Sequence, residues 1–223
     1  MKIKLTHSQK VRAVAVTIGW FFVALSVELL RIATMGLDPA NGFCIGAAEH
    51  FHEPVGTVVM IMCCIWILPA LLFQRNLIGL GTVLMFCLGF AVDFWDFALH
   101  SIFSADTFLT LEGSIVLRFL LSIFGILALG FTASFYMSAD MGLAPYDGLP
   151  FVIARLAKIQ FKWARMAVDS THLVLAVLVT FPDGTTLRYV GLATVMLAAS
   201  LGPIFAFVME NITRPFISNL AKG

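Results

Sequence analysis

The segment Met35–Gly42 reads MGLDPANG, and the segment Met141–Gly148 reads MGLAPYDG. The two segments share five of their eight residues and lie 106 positions apart. The match extends without a gap over residues 12–48 and 118–154. A glycine- and proline-containing turn that recurs inside a longer match indicates that the chain divides into two related halves.

The composition of the 223 residues indicates a membrane protein. Sixty per cent of the residues are apolar and 12% are charged, whereas a soluble domain is about 45–50% apolar and about 25% charged. The mean hydropathy is +0.97. These values exclude a soluble globular enzyme, a disordered chain and a nucleic-acid-binding protein, and they are typical of a polytopic helical membrane protein.

Six apolar runs are long enough to cross a bilayer, because about 20 helical residues span its hydrocarbon core. We expect the first run to be a retained helix rather than a cleaved signal peptide, since Glu28 and Arg31 lie near its end. The six runs are residues 11–33, 55–73, 77–99, 114–138, 164–181 and 188–210.

The lysine and arginine residues predict the orientation of the chain, since they are concentrated on the cytoplasmic side of membrane proteins. With a cytoplasmic N-terminus and six crossings, 11 of the 14 lysine and arginine residues lie inside, among them Lys2 and Lys4. The loop 100–113 then lies outside and carries Asp106 and Glu112 without a lysine or arginine. We therefore expect a multi-pass protein of the inner (cytoplasmic) membrane with both termini in the cytoplasm.

The two halves are predicted to have opposite orientations. Residues 79–83 (GLGTV) match residues 191–195 (GLATV), so the third run corresponds to the sixth. Three crossings per half is an odd number, and the second half must enter from the opposite side, as in the inverted-topology repeats of secondary transporters. The expected fold is an all-α membrane protein with six transmembrane helices in two inverted three-helix repeats. The repeats, residues 1–106 and 107–223, form one integral membrane domain.

A short amphipathic segment follows the turn in each half. Residues 40–52 and 148–159 place apolar side chains at helical spacing. A helix of about 12 residues is about 18 Å long, which is too short to cross a bilayer. Each segment is expected either to lie in the membrane interface or to enter the membrane as a re-entrant half-helix.

Several motifs resemble those of a known family. The doubled turn follows the pattern G-[LA]-x-P-x-[DN]-G and is similar to the YczE/YitT-like uncharacterised bacterial integral membrane proteins. The resemblance covers most of residues 12–205 and implies a small permease-like protein of the inner membrane. The second turn of that family usually has arginine where this chain has Tyr146. The other matching residues are Gly56-Thr57, Arg75 before Gly79-Leu80-Gly81-Thr82, Val92-Asp93, and Arg165 with Asp169 four residues later.

The two turns are the first candidate for a binding site. Proline in the first turn of a helix favours helix entry, and Asn41 and Asp147 can cap or bond the free amides there. If both helix N-termini face a central cavity, their positive dipole ends can bind an anionic or polar solute. The alternative is a helix-start motif used twice. The candidate residues of the turns are Pro39, Asn41, Gly42, Pro145, Asp147 and Gly148.

Charged residues within the predicted helices are the next candidates, because such residues are rare in a bilayer and often functional. Arg165 and Asp169 are four residues apart on one helix face. We expect them to contact substrate or a coupling ion, and the alternative is a structural pair. Asp93, Asp96 and Glu28 are predicted to form an outer gate, and the alternative there is an ordinary polar helix end.

Signals for a metal site or an enzyme are weak. His50, His52 and Glu53 are weak candidates for a divalent-metal site, and the alternative is a solvated helix end. The sequence contains no P-loop, G-x-S-x-G, H-E-x-x-H or Rossmann pattern. We therefore expect no enzymatic activity, no catalytic residues and no cofactor.

The function favoured by these patterns is that of a secondary-transporter-like permease for a small polar or anionic solute. Access would alternate between the two inverted repeats. The expected partners are the lipid bilayer and this solute, with a further membrane protein or a second copy of the chain as an additional partner, and no nucleic acid. The alternative is a non-transporting membrane subunit that docks a partner in the membrane.

Overall fold

The structure is a computed structural model that describes residues 6–222, and within this range every regular element is helical. Lys2 and Lys4, which contribute to the predicted orientation, lie outside the described residues. A 3₁₀ turn, Arg75–Leu77, follows α3, and a π-helical turn, Met209–Thr213, joins α11 to α12. The α-helices are α1 (His7–Ala33), α2 (Pro39–Phe51), α3 (Val55–Phe73), α4 (Leu80–Phe86), α5 (Leu88–Ile102), α6 (Ala105–Gly113), α7 (Ile115–Ser138), α8 (Pro145–Ala157), α9 (Phe161–Thr180), α10 (Thr186–Tyr189), α11 (Leu192–Val208) and α12 (Arg214–Leu220).

The number of candidate membrane spans among the described residues lies between three and five. The helices α1, α3 and α7 are each long and apolar enough to cross a membrane. Two bent helix pairs pass the same test together. They are α4 with α5, bent by 54°, and residues 186–201 with 203–220, bent by 45°. The chain is a multi-pass helical membrane protein.

Three of the predicted spans differ from the structure in detail. The span 77–99 is divided at Cys87 into α4 and α5. The span 188–210 bends where Pro203 interrupts the helical hydrogen bonds, and helical structure continues to Leu220. The span 164–181 forms α9, but this helix carries Arg165 and Asp169 and is not among the candidate spans. The crossing of α9, on which a count of six depends, stays a prediction.

The two short helices begin at equivalent residues, because each turn provides the same start signals. Pro39 and Pro145 occupy the first turns of α2 and α8, where a missing N–H costs nothing. Gly36 and Gly142 precede them with φ angles of +110° and +96°, which favour glycine. The helix α8 thus begins three residues before the predicted segment 148–159, since Pro145 starts the helix itself.

The longest helices of the two halves, α1 and α7, pack against each other and run in opposite directions. A Cβ atom at Gly19 would lie 2.8 Å from the Cα of Tyr136. Seven residues further along α1, Ser26 Oγ lies 3.3 Å from Thr132 Oγ1, four residues earlier on α7. Ser26 and Thr132 are also equivalent positions of the repeat, at the offset of 106. A contact between two equivalent residues is what a two-fold relation between the halves produces.

Each turn is held by backbone hydrogen bonds to the other half of the chain. The turn after α1 bonds to α10 and the start of α11, and the turn after α7 bonds to the 3₁₀ turn and the start of α4. The same two bonds occur in each case, at equivalent positions. They are Ala193 N to Met35 O (2.7 Å) and Leu37 N to Tyr189 O (2.9 Å) in one, and Gly81 N to Met141 O (2.7 Å) and Leu143 N to Leu77 O (3.0 Å) in the other.

The outer surface of the helices is apolar. Many large side chains on α3, α7 and α9 are more than two-fifths exposed, as expected for helices in contact with lipid rather than water. The buried core instead contains many small residues of α1, α2 and α7, which permit close helix packing. Examples of the exposed residues are Ile61, Ile65, Leu68, Leu72, Leu120, Phe124, Leu127, Val174 and Leu178.

Candidate functional site

A cavity of about 120 Å³ lies where the N-termini of α2 and α8 meet, and we call it the central cavity. Its walls are mostly apolar and are contributed by α1, α3, α7 and α11. Its charged lining comes from the two turns and from one residue of α9. The polar and turn residues that line it include Asp38, Asn41, Pro145, Tyr146, Asp147 and Arg165.

Arg165 is held between two carboxylates. Its Nη1 lies 2.9 Å from Asp147 Oδ1, and its Nε lies 3.0 Å from Asp169 Oδ2. All three side chains are partly buried. The guanidinium carbon also lies 5.1 Å from the centre of the Tyr146 ring, a distance typical of a cation–π contact. The structure thus brings together three predicted site residues, and Arg165 links α8 to α9.

An aromatic group continues this network into the core. The Tyr146 hydroxyl donates to Asp169 Oδ1 at 2.5 Å, and the Tyr146 ring packs edge-on against Trp66 and His172. Trp66 Nε1 donates to His172 Nε2 at 2.9 Å. The other ring nitrogen of His172 lies 2.8 Å from the carbonyl oxygen of Val168, so the two contacts together assign a neutral imidazole protonated at Nδ1. Trp66 and His172 are also 106 residues apart, the offset that separates the starts of α3 and α9 at Val55 and Phe161.

The cap of α2 differs from the prediction. Asp38 is the N-cap, and its carboxylate accepts from the Asn41 backbone N–H at 3.2 Å and from Asn41 Nδ2 at 2.7 Å. Asn41 is the third helical residue, so its amide receives the cap bond and its side chain does not supply it. In α8 the N-cap is Ala144, which has no side-chain cap, and Asp147 bonds Arg165 instead.

The remaining turn residues act through backbone geometry and packing. Pro39 and Pro145 open their helices, and Pro145 also lines the central cavity. A Cβ atom at Gly42 would lie 3.0 Å from the carbonyl oxygen of Tyr189, so glycine permits the close approach of α10. At Gly148 the nearest atom, from Leu77, is 4.0 Å away. These contacts give neither Gly42 nor Gly148 a polar role at the cavity.

The charged and hydroxyl side chains that contact Arg165 belong to the second half of the chain. The repeat places apolar or weakly polar residues where the second half has its charged and hydroxyl side chains. Ala40, Val59 and Cys63 are the equivalents of Tyr146, Arg165 and Asp169. The two halves therefore contribute similar backbones and different chemistry to the central cavity.

The predicted outer-gate residues are only partly brought together. Arg31 Nη1 lies 3.2 Å from Glu28 Oε2 and 3.4 Å from Asp96 Oδ1, so one guanidinium joins these two carboxylates. Asp93 instead accepts a hydrogen bond of 3.1 Å from the backbone N–H of Gly56 at the start of α3. Asp93 is thus a helix-capping residue rather than a member of the cluster.

The weak metal candidates do not converge. His50 Nδ1 lies 2.6 Å from Asp183 Oδ2, His52 ends α2 with a φ of +55°, and Glu53 is exposed. Across residues 6–222, no three or more histidine, cysteine, aspartate and glutamate side chains are grouped so as to hold a metal ion.

The sequence-based prediction missed Asp38, Tyr146 and Trp66. An aspartate directly before a proline is a standard helix-start signal, so Asp38 was detectable. Tyr146 stands in the middle of the repeated turn but carries no charge, and the contact with Asp169 depends on how α8 packs on α9. In the sequence, the only sign that Trp66 lies near His172 is their separation of 106 residues, which equals the repeat offset.

Comparisons with known proteins agree with a membrane protein of this kind. The "Uncharacterized protein YyaS" of Bacillus subtilis (strain 168) is 23% identical over 207 residues, which cover 92% of this chain and 96% of the relative. The "Uncharacterized membrane protein YczE" of the same organism is 27% identical over 195 residues, or 86% and 83% of the two chains. An "Uncharacterized protein" of Haemophilus influenzae (strain ATCC 51907 / DSM 11121 / KW20 / Rd) is 25% identical over 206 residues.

The match to YczE confirms the resemblance that the repeated turn and its accompanying motifs predicted. No solved structure matches the chain. A family of unknown function, DUF6198, matches residues 10–210, which is most of the chain. The chain therefore belongs to the family of unknown function DUF6198.

Proposed function

We propose that the chain is a secondary-transporter-like permease for a small polar solute, with the central cavity as its solute site. One observation carries this proposal. The N-termini of α2 and α8, one from each half, line the same cavity together with Arg165 and Asp147. Half-helix ends that meet between two repeats are a recurring design of solute sites in secondary transporters.

The relation between the halves supports an inverted repeat of six spans. The helices α1 and α7 run in opposite directions and touch at the equivalent residues Ser26 and Thr132. If both cross the membrane, equivalent helices enter it from opposite sides. The reciprocal hydrogen bonds of the two turns fit the same two-fold relation. Alternating access would then move one half against the other, in the inner membrane.

The position of α2 supports a re-entrant half-helix rather than an interfacial one. Its N-terminal end lines the central cavity. Further along, the Phe43 ring lies 6.1 Å from the ring of His172 in the middle of α9. At its far end, His50 bonds Asp183 beyond the C-terminus of α9. The helix α2 therefore packs along α9 from its middle to its C-terminal end. If α9 spans the membrane as predicted, α2 lies beside it within the membrane.

The charges of the site narrow the class of solute. The guanidinium of Arg165 is already bonded to Asp147 and Asp169. The positive end of α2 is bonded by Asp38, and Asp147 lies in the first turn of α8. An anion would therefore meet more carboxylates than free cations. We expect a neutral or cationic polar solute, whose donor groups bond the carboxylates, in preference to an anionic one.

Binding of such a solute would act on the contact between α8 and α9. The Arg165–Asp147 bond joins the two helices. A solute donor that bonds the Asp147 carboxylate in place of Arg165 weakens the Arg165–Asp147 bond, and α8 can then move relative to α9. A ligand shifts a conformational equilibrium only through contacts that differ between the two states, and this contact is one that solute binding changes.

A thermal-shift screen of the detergent-purified protein tests the proposal. The panel contains amino acids, small amines, polyols, organic acids and divalent metals. A solute that binds the folded state at 100 times its Kd stabilises it by about 2.7 kcal/mol. We expect a saturable shift in the parent that is lost in Asp147→Asn and Arg165→Ala. The control variants Asp106→Asn and Arg155→Ala change the same residue types at exposed positions outside the cavity and should keep the shift.

Uptake of the identified solute into proteoliposomes then tests transport, and the same two variants should abolish it. A shift that survives in both cavity variants would place the solute elsewhere. No shift with any solute, together with one protein that co-purifies in fixed stoichiometry, would overturn the proposal in favour of a membrane subunit that docks a partner.

A further inference from the structure

A second pocket, of about 180 Å³, lies among α1, α2, α5, α6 and α10, and we call it the Glu28 pocket. None of its lining residues lines the central cavity. Its charged lining comes from five helices, so the pocket is assembled by the fold rather than by one segment. The charged residues are Glu28, Arg31, Glu49, Asp96, Glu112 and Arg188.

Glu28 is fully buried, and half of its carboxylate lacks a partner. Its Oε2 lies 3.2 Å from Arg31 Nη1. Its Oε1 is buried and has no hydrogen-bond partner among the described residues. A buried carboxylate oxygen without a donor is costly, since it has lost its water and gained nothing in return. Glu28 is one of the residues that line the pocket.

The pocket has more negative than positive side chains. Four carboxylates face two guanidinium groups there. Arg31 is shared, because it also lies 3.4 Å from Asp96 Oδ1. His100 from α5 lies 3.2 Å from the same carboxylate and stacks on Phe108. Phe108 and Tyr189 add aromatic lining to the pocket, and such rings attract cations.

We propose that the Glu28 pocket binds a small organic cation of the guanidinium or primary ammonium class, with the Glu28 carboxylate as its anchor. Several N–H groups on one cation reach carboxylates that stand apart around a pocket. A bare metal ion requires ligands that converge on one point, and no such group of side chains occurs in residues 6–222. The proposal concerns a second site and does not depend on transport through the central cavity.

Isothermal titration of the detergent-purified full chain with methylguanidinium and methylammonium tests this site. We expect saturable binding in the parent and affinity reduced on the order of tenfold or more in Glu28→Gln, since a buried charge pair loses one partner. Glu53→Gln makes the same chemical change at an exposed residue outside the pocket and should bind like the parent. Asp96→Asn, at a partly exposed side chain, provides a second pocket variant if Glu28→Gln does not fold.

Four results would overturn the proposal. They are no saturable binding of either cation to the parent, parent-like affinity in both Glu28→Gln and Asp96→Asn, equal heats with sodium chloride at the same concentration, and affinity lost in Arg165→Ala but kept in Glu28→Gln. The last result would move the cation to the central cavity. Failure of the solute screen with intact methylguanidinium binding would instead refute the proposed transport site alone.

Discussion

Tyr146 contacts both members of the Arg165–Asp169 pair. Its hydroxyl donates to Asp169, and its ring lies 5.1 Å from the guanidinium carbon of Arg165. One residue of α8 therefore fixes the geometry of two residues of α9. The spacing of four along the helix predicted the pair but not the tyrosine, because spacing within one helix carries no information on what a neighbouring helix presents to it.

Replacement of Tyr146 by phenylalanine keeps the ring and removes one hydrogen bond to Asp169. We expect a loss of about 1–3 kcal/mol of stability, because a partly buried carboxylate loses one of its two donors. A lower melting temperature in detergent measures this loss. Asp169→Ala, which removes the acceptor, is the partner variant of a double-mutant cycle. The double variant should lose clearly less than the sum of the single variants, since both remove the same bond, and full additivity would contradict the contact.

At the scale of elements, the turn of each half is positioned by the other half. The repeated turn and the repeated GLxT segment were both recognised in the sequence, but their contact was not, since residues far apart in sequence meet only through the fold. Gly142 shows why the contact between the turn and this segment requires glycine. Its φ is +96°, and a Cβ atom there would clash with the backbone of Gly79. The same segment carries Thr82, whose hydroxyl donates to the carbonyl oxygen of Leu143 at 2.6 Å.

Alanine at Gly142 should therefore be much more destabilising than alanine at Gly184. Both glycines have a positive φ, which costs an alanine about 1–2 kcal/mol. A Cβ atom at Gly184 meets no other atom within 4 Å, whereas at Gly142 it overlaps backbone that cannot move aside. We expect Gly184→Ala to fold with a slightly lower melting temperature and Gly142→Ala to show a larger decrease or a loss of folded protein. Equal melting temperatures would mean that the turn is not docked on Gly79.

The helix boundaries were predictable to the extent that burial in lipid sets them. The spans around α1, α3 and α7 begin and end within a few residues of the predicted runs, because their apolar length alone determines them. The bend in the last span could be predicted from Pro203. A prediction from apolar length alone takes no account of proline. The break at Cys87 had none, since the predicted run 77–99 contains neither proline nor a charge before Asp93.

At the scale of the whole molecule, the sequence shows which positions of the two halves correspond and where the two halves differ in chemistry. Equivalent residues at the offset of 106 meet at Ser26–Thr132 and at Trp66–His172. The chemistry of the central cavity breaks this relation, because Val59 stands opposite Arg165 in the alignment of the repeat. A comparison of equivalent positions therefore indicates which half carries Arg165 and the side chains that contact it, whereas the volume of the cavity depends on packing that no alignment contains.

The predicted inverted orientation of the halves can be tested at one pair of equivalent residues. Glu53 follows α2 and Ile159 follows α8, and both side chains are exposed. An inverted repeat places equivalent positions on opposite sides of the membrane, whereas a parallel repeat places them on the same side. In a variant that lacks Cys44, Cys63, Cys64 and Cys87, we expect a membrane-impermeant maleimide on intact cells to label Glu53→Cys.

Ile159→Cys should react only after the membrane is permeabilised, because the positive-inside distribution predicts that the segment with Arg155 and Lys158 lies in the cytoplasm. Thr110→Cys, on the exposed surface of α6, is predicted to lie on the same side as Glu53 and serves as the control. Labelling of both Glu53→Cys and Ile159→Cys from one side would mean that the halves are parallel. In that case α1 and α7 could not both cross the membrane, since the structure packs them in opposite directions.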